Sequence, residues 1–238
     1  MAQLVLNGLS LELGDPPVPV LSRISFSCEP GTVTLLLGPN GCGKSVLLRT
    51  ILGLCPGYSG TIAWDGSVLS RQFRRLHGQS GVVFQNPEQQ IFGATVREDL
   101  LAGQPRDTVI DQVILQELGL TELLLRSPAE LSGGQRRRLA LAGAFVGNRR
   151  ILFLDEPFLE LDYPAVEGLI RLVIRFRDAG GIVVVASHET RDIWPLTDRV
   201  VLLVNGVVRF SGSRDDAAGV LLPEYGLRPL AAPGAPPA

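Results

Sequence analysis

Apolar and polar residues alternate over Leu4 to Leu13 and again over Arg23 to Cys28, the period of a strand with one buried face. Thr32 to Leu37 is instead a continuous apolar run that stops at Gly38, the pattern of a strand buried on both faces. Val46 to Leu54 then reads as a helix. Gly60 to Trp64 and Val68 predict a hairpin around Asp65-Gly66, a dipeptide suited to a tight turn. Gly81 to Phe84 is a further short buried strand. From Asn86 to about Ser132 strand signals vanish, and Val109, Val113, Ile114 and Leu118 recur at helical spacing within Thr108 to Leu125. A helix (Gln135 to Val146), a strand (Ile151 to Leu154), a helix (Ala165 to Ala179) and a strand (Ile182 to Ala186) follow. Val200 to Val204 and Val207 to Phe210, around Asn205-Gly206, close the pattern. Strands alternating with helices predict an α/β fold whose parallel sheet carries helices on both faces.

Composition narrows the functional classes. The 238 residues suffice for a sizeable core, and 45% apolar with 19% charged suits a globular domain. The formal charge of -2 supplies no broad field for nucleic acid or anionic lipid, so no nucleic-acid partner is expected. The apolar runs fall well short of the roughly 20 residues a membrane-spanning helix needs. Met1 to Asn7 lacks the cationic start and apolar stretch of a signal peptide. Cys28, Cys42 and Cys55 have no metal-ligand spacing and read as reduced thiols of a cytosolic protein. Any role at a membrane therefore comes through a partner.

Gly38-Pro39-Asn40-Gly41-Cys42-Gly43-Lys44-Ser45 fits G-x-x-x-x-G-K-[ST] between a predicted strand and a predicted helix. The glycines let backbone N–H groups turn inward around phosphate oxygens, and the helix start adds partial positive charge. Lys44 would reach the β- and γ-phosphates, and the Ser45 hydroxyl would hold Mg²⁺. Lys44 is also the only lysine among 22 basic residues, so the position resists a planar guanidinium. Ile151 to Leu154 is an apolar strand ending in Asp155-Glu156. Because the pleat sends neighbouring side chains in different directions, Asp155 can hold Mg²⁺ through water while Glu156 accepts a proton from attacking water.

Leu131-Ser132-Gly133-Gly134-Gln135 lies between these two motifs. With all three in order, the chain resembles the nucleotide-binding domains of ABC transporters over residues 1 to 215. That resemblance implies a P-loop NTPase core with a parallel sheet, a small antiparallel β part and an inserted helical subdomain. It implies an ATPase domain, taken as residues 1–225 with the helical insert at about 86–146; the Ala- and Pro-rich end, Ala231 to Ala238, has nothing to pack, so 226–238 is expected to be a disordered tail. Gln85, ending a strand, matches the family's Q-loop glutamine, and Leu161-Asp162 its D-loop. His188, 32 residues after Glu156, matches its switch histidine. In the family Lys44, Ser45, Gln85, Asp155 and His188 position the γ-phosphate of ATP and its metal, while Glu156 polarises the water.

Ser132 suits the cap of a helix beginning near Gln135, and the two glycines admit an anion close to free N–H groups. The family implies that this second anion site, Ser132 to Gln135 with Asp162, faces the nucleotide of a second ATPase subunit, identical or homologous, paired head to tail. Arg136, Arg137 and Arg138 fall in the first turn of that helix, where exposed cations oppose the dipole by about 0.3–1 kcal/mol each. Two of the three are expected on a solvated basic face.

The resemblance further implies a separate integral membrane transporter subunit, with this chain peripheral on the cytoplasmic face. Phe84 to Leu100 looks most like the ATPases of energy-coupling-factor and cobalt-type importers, which take up vitamins or transition-metal ions. A soluble ABC-type ATPase is the rival reading. Its DNA-repair members carry a long coiled coil, whereas only 47 residues separate Gln85 from Ser132, without sustained heptads. The chain departs from the family where an aromatic residue usually stacks on adenine. Gly14 to Pro19 occupies that region, and Phe26, alternating with Ile24 and Cys28, is expected in the core. Cys42, beside Lys44 and a helix start, is expected to be a reactive thiolate, and Cys28 to be buried and inert.

Overall fold

In the computed structural model, residues 3–69 and 73–217 are described, and the expected tail at 226–238 lies outside them. The first half carries β1 (Leu4–Leu13), β2 (Val18–Cys28), β3 (Thr32–Leu37), α1 (Lys44–Ile51), β4 (Ser59–Trp64), β5 (Ser67–Val68), α2 (Arg74–Gln79) and β6 (Ser80–Val83). Three helices follow: α3 (Val96–Leu101), α4 (Gln112–Glu117) and α5 (Gly133–Phe145). The remainder is β7 (Ile151–Asp155), α6 (Tyr163–Asp178), β8 (Ile182–Ser187), β9 (Arg199–Val204), β10 (Val207–Ser213) and α7 (Arg214–Ala217).

The strands form two sheets. One is antiparallel in the order β2-β1-β4-β5; the other runs β10-β9-β3-β8-β7-β6, parallel except for β10. The pleat divides the central strands between two cores. Leu35, Leu37, Leu152, Leu154, Val183 and Val185 face α5 and α6, meeting Leu139, Ala142, Leu169 and Val173. The intervening Leu36, Phe153, Val184 and Ala186 face α1 and the antiparallel sheet, meeting Leu47, Ile51, Ile24 and Trp64. Phe153 is fully buried, and its truncation to alanine would cost about 3–5 kcal/mol. Phe26 lies in this second core, as its alternation predicts.

Register decides what the parallel sheet carries. Leu37 pairs with Ser187, Asp155 with Ala186, and Val83 with Leu154, so β3, β6, β7 and β8 end along one edge. Loops leaving that edge converge outside the carboxyl ends of the strands, where open α/β sheets bind ligands.

The helical spacing within Thr108 to Leu125 yields only a short α-helix, α4 (Gln112–Glu117). Asp111 caps α4 by accepting from the Val113 N–H, and Gly119, at φ +61°, follows its end. Val109, expected on the apolar face, is instead 86% exposed. Between β6 and β7 the chain contains helices and turns but no strand. Among the described residues no helix is long and apolar enough to cross a membrane.

Candidate nucleotide site

The loop after β3 can be built only with glycine at its key positions. A Cβ on Gly38 would lie 2.2 Å from the Leu203 carbonyl oxygen and 2.7 Å from Cys42 Sγ. Gly41 and Gly43 have φ of +79° and +106°, a region open to glycine at little cost. Gly43 is the N-cap of α1 and supplies no side-chain cap, so the helix presents its first N–H groups and positive dipole end to the loop. Lys44 Nζ donates to the carbonyls of Gly38 (2.8 Å) and Pro39 (3.1 Å) and lies 3.8 Å from Glu156 Oε1. The ammonium is therefore held inside the cradle and is itself only 6% exposed.

β7 ends in Asp155 and is followed directly by Glu156, two acids with different surroundings. Asp155 is 1% exposed, and neither of its carboxylate oxygens has a hydrogen bond. Burial pushes its pKa up, opposed by the nearby Ser45 hydroxyl and by Lys44 and Arg49. A buried carboxylate left this way is costly until a cation joins it. Paired with the Ser45 hydroxyl it is a hard, all-oxygen donor set that fits Mg²⁺.

Glu156, by contrast, is fully engaged. Its Oε1 accepts from the His188 backbone N–H (3.0 Å) and lies 2.8 Å from His188 Nδ1; its Oε2 accepts from the Ser187 hydroxyl (3.1 Å). The backbone has φ +49°, a left-handed conformation that costs a non-glycine residue about 1–3 kcal/mol. Three bonds hold it there: its N–H donates to the Ala186 carbonyl (2.9 Å), and its carbonyl accepts from Arg137 Nη2 (2.7 Å) and from the Leu159 N–H (3.3 Å).

The segment before α5 forms a capping box. Ser132 Oγ accepts from the Gln135 N–H, and Gln135 Oε1 accepts from the Ser132 N–H, so the Gln135 side chain is turned to the cap. Ser132, Gly133 and Gly134 are exposed, and a Cβ on Gly134 would meet nothing within 4 Å. Gln85, Gly133, Gly134, Arg137, Leu159 and Glu160 are among the residues lining a cavity of about 430 Å³. Asp162 caps α6 by accepting from the Ala165 N–H and pairs with Arg138 at 3.6 Å. Among the described residues, no hydrogen bond or ion pair joins Ser132–Gln135 to Lys44, Asp155 or His188.

Two expectations fail here. Of the three arginines, two of them expected on a solvated face, Arg137 is buried at 5% exposed, while Arg136 and Arg138 are half-buried rather than free in solvent: Arg136 donates to the Leu131 carbonyl and Arg138 pairs with Asp162. Cys42 is not a reactive thiolate, because it is 3% exposed and burial raises its pKa more than Lys44 lowers it. Sequence reading also missed Ser187, a small residue with no motif of its own, and Gln90. Gln90 bridges the end of β6 by accepting from the Phe84 N–H and donating to the Val82 carbonyl.

A glycine cradle at a helix start, a lysine within it and an acidic strand end beside it define a P-loop, nucleotide-binding α/β domain. The ABC transporter family model matches residues 21–159. A putative ABC transporter ATP-binding protein of Halobacterium salinarum is 34% identical over 87% of this chain and 91% of its own length. An energy-coupling factor transporter ATP-binding protein, EcfA, of Methanothermobacter thermautotrophicus is 33% identical over 82% of this chain and 66% of its own. The chain spans 44% of a longer Treponema denticola relative. The solved cbiO1 of Clostridium perfringens, part of the ABC transporter complex cbiONQ, superimposes with a TM-score of 0.76 at 28% identity, covering 91% of this chain and 90% of that one. The chain belongs to the ABC transporter family, as an ATP-binding ATPase cassette.

Proposed function

We propose that this chain hydrolyses Mg²⁺-ATP to drive solute transport through a separate integral membrane subunit, most plainly uptake of a vitamin or metal ion. The observation that carries the reading is the meeting of Lys44, Glu156 and His188 beside the unsatisfied carboxylate of Asp155. The Gly38–Ser45 loop wraps the phosphates with backbone N–H groups, and Lys44 exchanges the carbonyls of Gly38 and Pro39 for phosphate oxygens. Asp155, Ser45 and Gln85 would hold Mg²⁺, which when bound would neutralise charge on the transferring phosphoryl group. Glu156 takes the proton of the attacking water, and His188 keeps its carboxylate aimed.

A second copy or homologue of the chain pairs head to tail, so that Ser132 to Gln135 and Asp162 close over the partner's nucleotide. We assign residues 1–225 to the ATPase domain, with a helical insert at about 86–146 that faces the membrane subunit at the cytoplasmic surface. The likeness to EcfA and cbiO1 supports the importer reading. The test is co-purification from detergent extract, with ATPase measured with and without Mg²⁺. Recovery of the chain without any integral membrane protein would sink the transport reading, and hydrolysis unaffected by chelation would sink the metal role.

A further inference from the structure

Arg137 sits where a cation is least expected. It is in the second turn of α5, near the positive end of that helix's dipole, and is buried. Its guanidinium reaches out of α5 to the carbonyl oxygen of Glu156, 2.7 Å away. That carbonyl belongs to the left-handed residue that follows β7 and turns its carboxylate toward His188 and Lys44. The Leu159 N–H also donates to the same oxygen, at 3.3 Å, so the turn after Glu156 is drawn around one acceptor. A strained backbone persists only where its surroundings over-determine it. Here the Ala186 carbonyl holds one side of the residue and Arg137 the other.

We propose that Arg137 is a positioning residue for hydrolysis. By holding the Glu156 carbonyl it maintains the left-handed turn that aims the base. The proposal rests on the reading of Glu156 as that base. It has a mechanical consequence, because α5 begins at the exposed Gly133-Gly134 pair and Arg137 lies within five residues of that start. The same helix that would meet an anion at its N-terminus grips the backbone of this chain's own base. A shift of the α5 start is thus felt at Glu156 through the Arg137 hydrogen bond.

The experiment compares the purified chain with its Arg137→Gln, Arg137→Lys and Glu156→Gln variants, measuring kcat and KM for ATP together with thermal midpoints. An interaction that serves the transition state lowers kcat without matching loss of ground-state binding. Arg137→Gln is expected to lower kcat at least about tenfold while KM moves less than about threefold. Arg137→Lys, which keeps a cationic donor, is expected to return kcat to within about threefold of wild type. A folded Arg137→Gln with kcat within about twofold of wild type overturns the proposal, as does a lysine variant no better than the glutamine one. If Arg137→Gln does not fold, Arg137→Met takes its place. Failure of both to fold makes the contact structural and also overturns the proposal. Normal turnover by Glu156→Gln would remove both the base and its positioning residue. Loss in that variant with wild-type kcat in Arg137→Gln would remove the positioning residue alone.

Discussion

Glu156 and His188 meet twice, through the His188 backbone N–H at 3.0 Å and through Nδ1 at 2.8 Å, both on the same carboxylate oxygen. An ionised carboxylate is only an acceptor, so this contact puts the imidazole proton on Nδ1 and leaves Nε2 as the other face of the ring. The pair is preset, with the second carboxylate oxygen of Glu156 tied by the Ser187 hydroxyl.

Glu156→Gln keeps the size of the side chain and removes its basicity. Steady-state ATPase should fall by about 10²–10⁴-fold, with ATP still bound and ATP-loaded dimers accumulating. Activity above about a tenth of wild type would contradict the assignment of the base.

Asp155 gives a test of the metal that can be read without turnover. Its pKa is raised by burial, so the folded state holds a proton more tightly than the unfolded chain does. The ionised form therefore costs stability above the folded pKa, and that cost fades as pH falls. Asp155→Asn removes the charge, so the nucleotide-free variant should melt at least as high as wild type at neutral pH. It should lose most of the Mg²⁺-dependent gain in melting temperature that wild type shows with ATP. An undiminished gain would exclude Asp155 as a metal ligand.

The three thiols should separate cleanly under N-ethylmaleimide. Burial pushes Cys28 up to about 12, and Cys42 is raised by burial as well. Only Cys55 is partly exposed. Mass-spectrometric mapping at neutral pH should therefore find Cys55 alkylated first, with Cys42 unlabelled whether or not Mg²⁺-ATP is present. Rapid labelling of Cys42 in the free protein would show that the cradle opens more readily than its packing implies.

Phe92 is 84% exposed on a loop that is nonetheless fixed. Asp99 Oδ1 accepts from the N–H groups of both Phe92 (2.7 Å) and Gly93 (2.9 Å), and a Cβ on Gly93 would collide with the Asp99 backbone. A large apolar side chain held outward in this way suits a partner's cytoplasmic helix. Phe92→Ala should reduce co-purification with the membrane subunit several-fold while leaving ATP affinity and basal hydrolysis as they are. Unchanged co-purification and transport would refute the docking role.

Much of the molecule was local and therefore legible in the chain. Thr32 to Leu37, Ile151 to Leu154 and Ile182 to Ala186 declare themselves as buried strands because both their faces are apolar, a property carried by each segment alone. The glycines of the loop after β3 and the acids Asp155 and Glu156 are likewise contiguous, so their chemistry could be read from spacing. What the sequence could not supply is set by register between distant segments. Leu37 opposite Ser187 and Asp155 opposite Ala186 bring Lys44, Glu156 and His188 together. Which of Arg136, Arg137 and Arg138 is buried could not be read locally, because an arginine's partner, for Arg137 a backbone carbonyl 19 residues away, leaves no trace in local pattern. Cys42 failed for the same reason in reverse. Its neighbours in sequence favour a thiolate, but its neighbours in space, packed around Gly38 and Leu203, exclude the water that a thiolate needs.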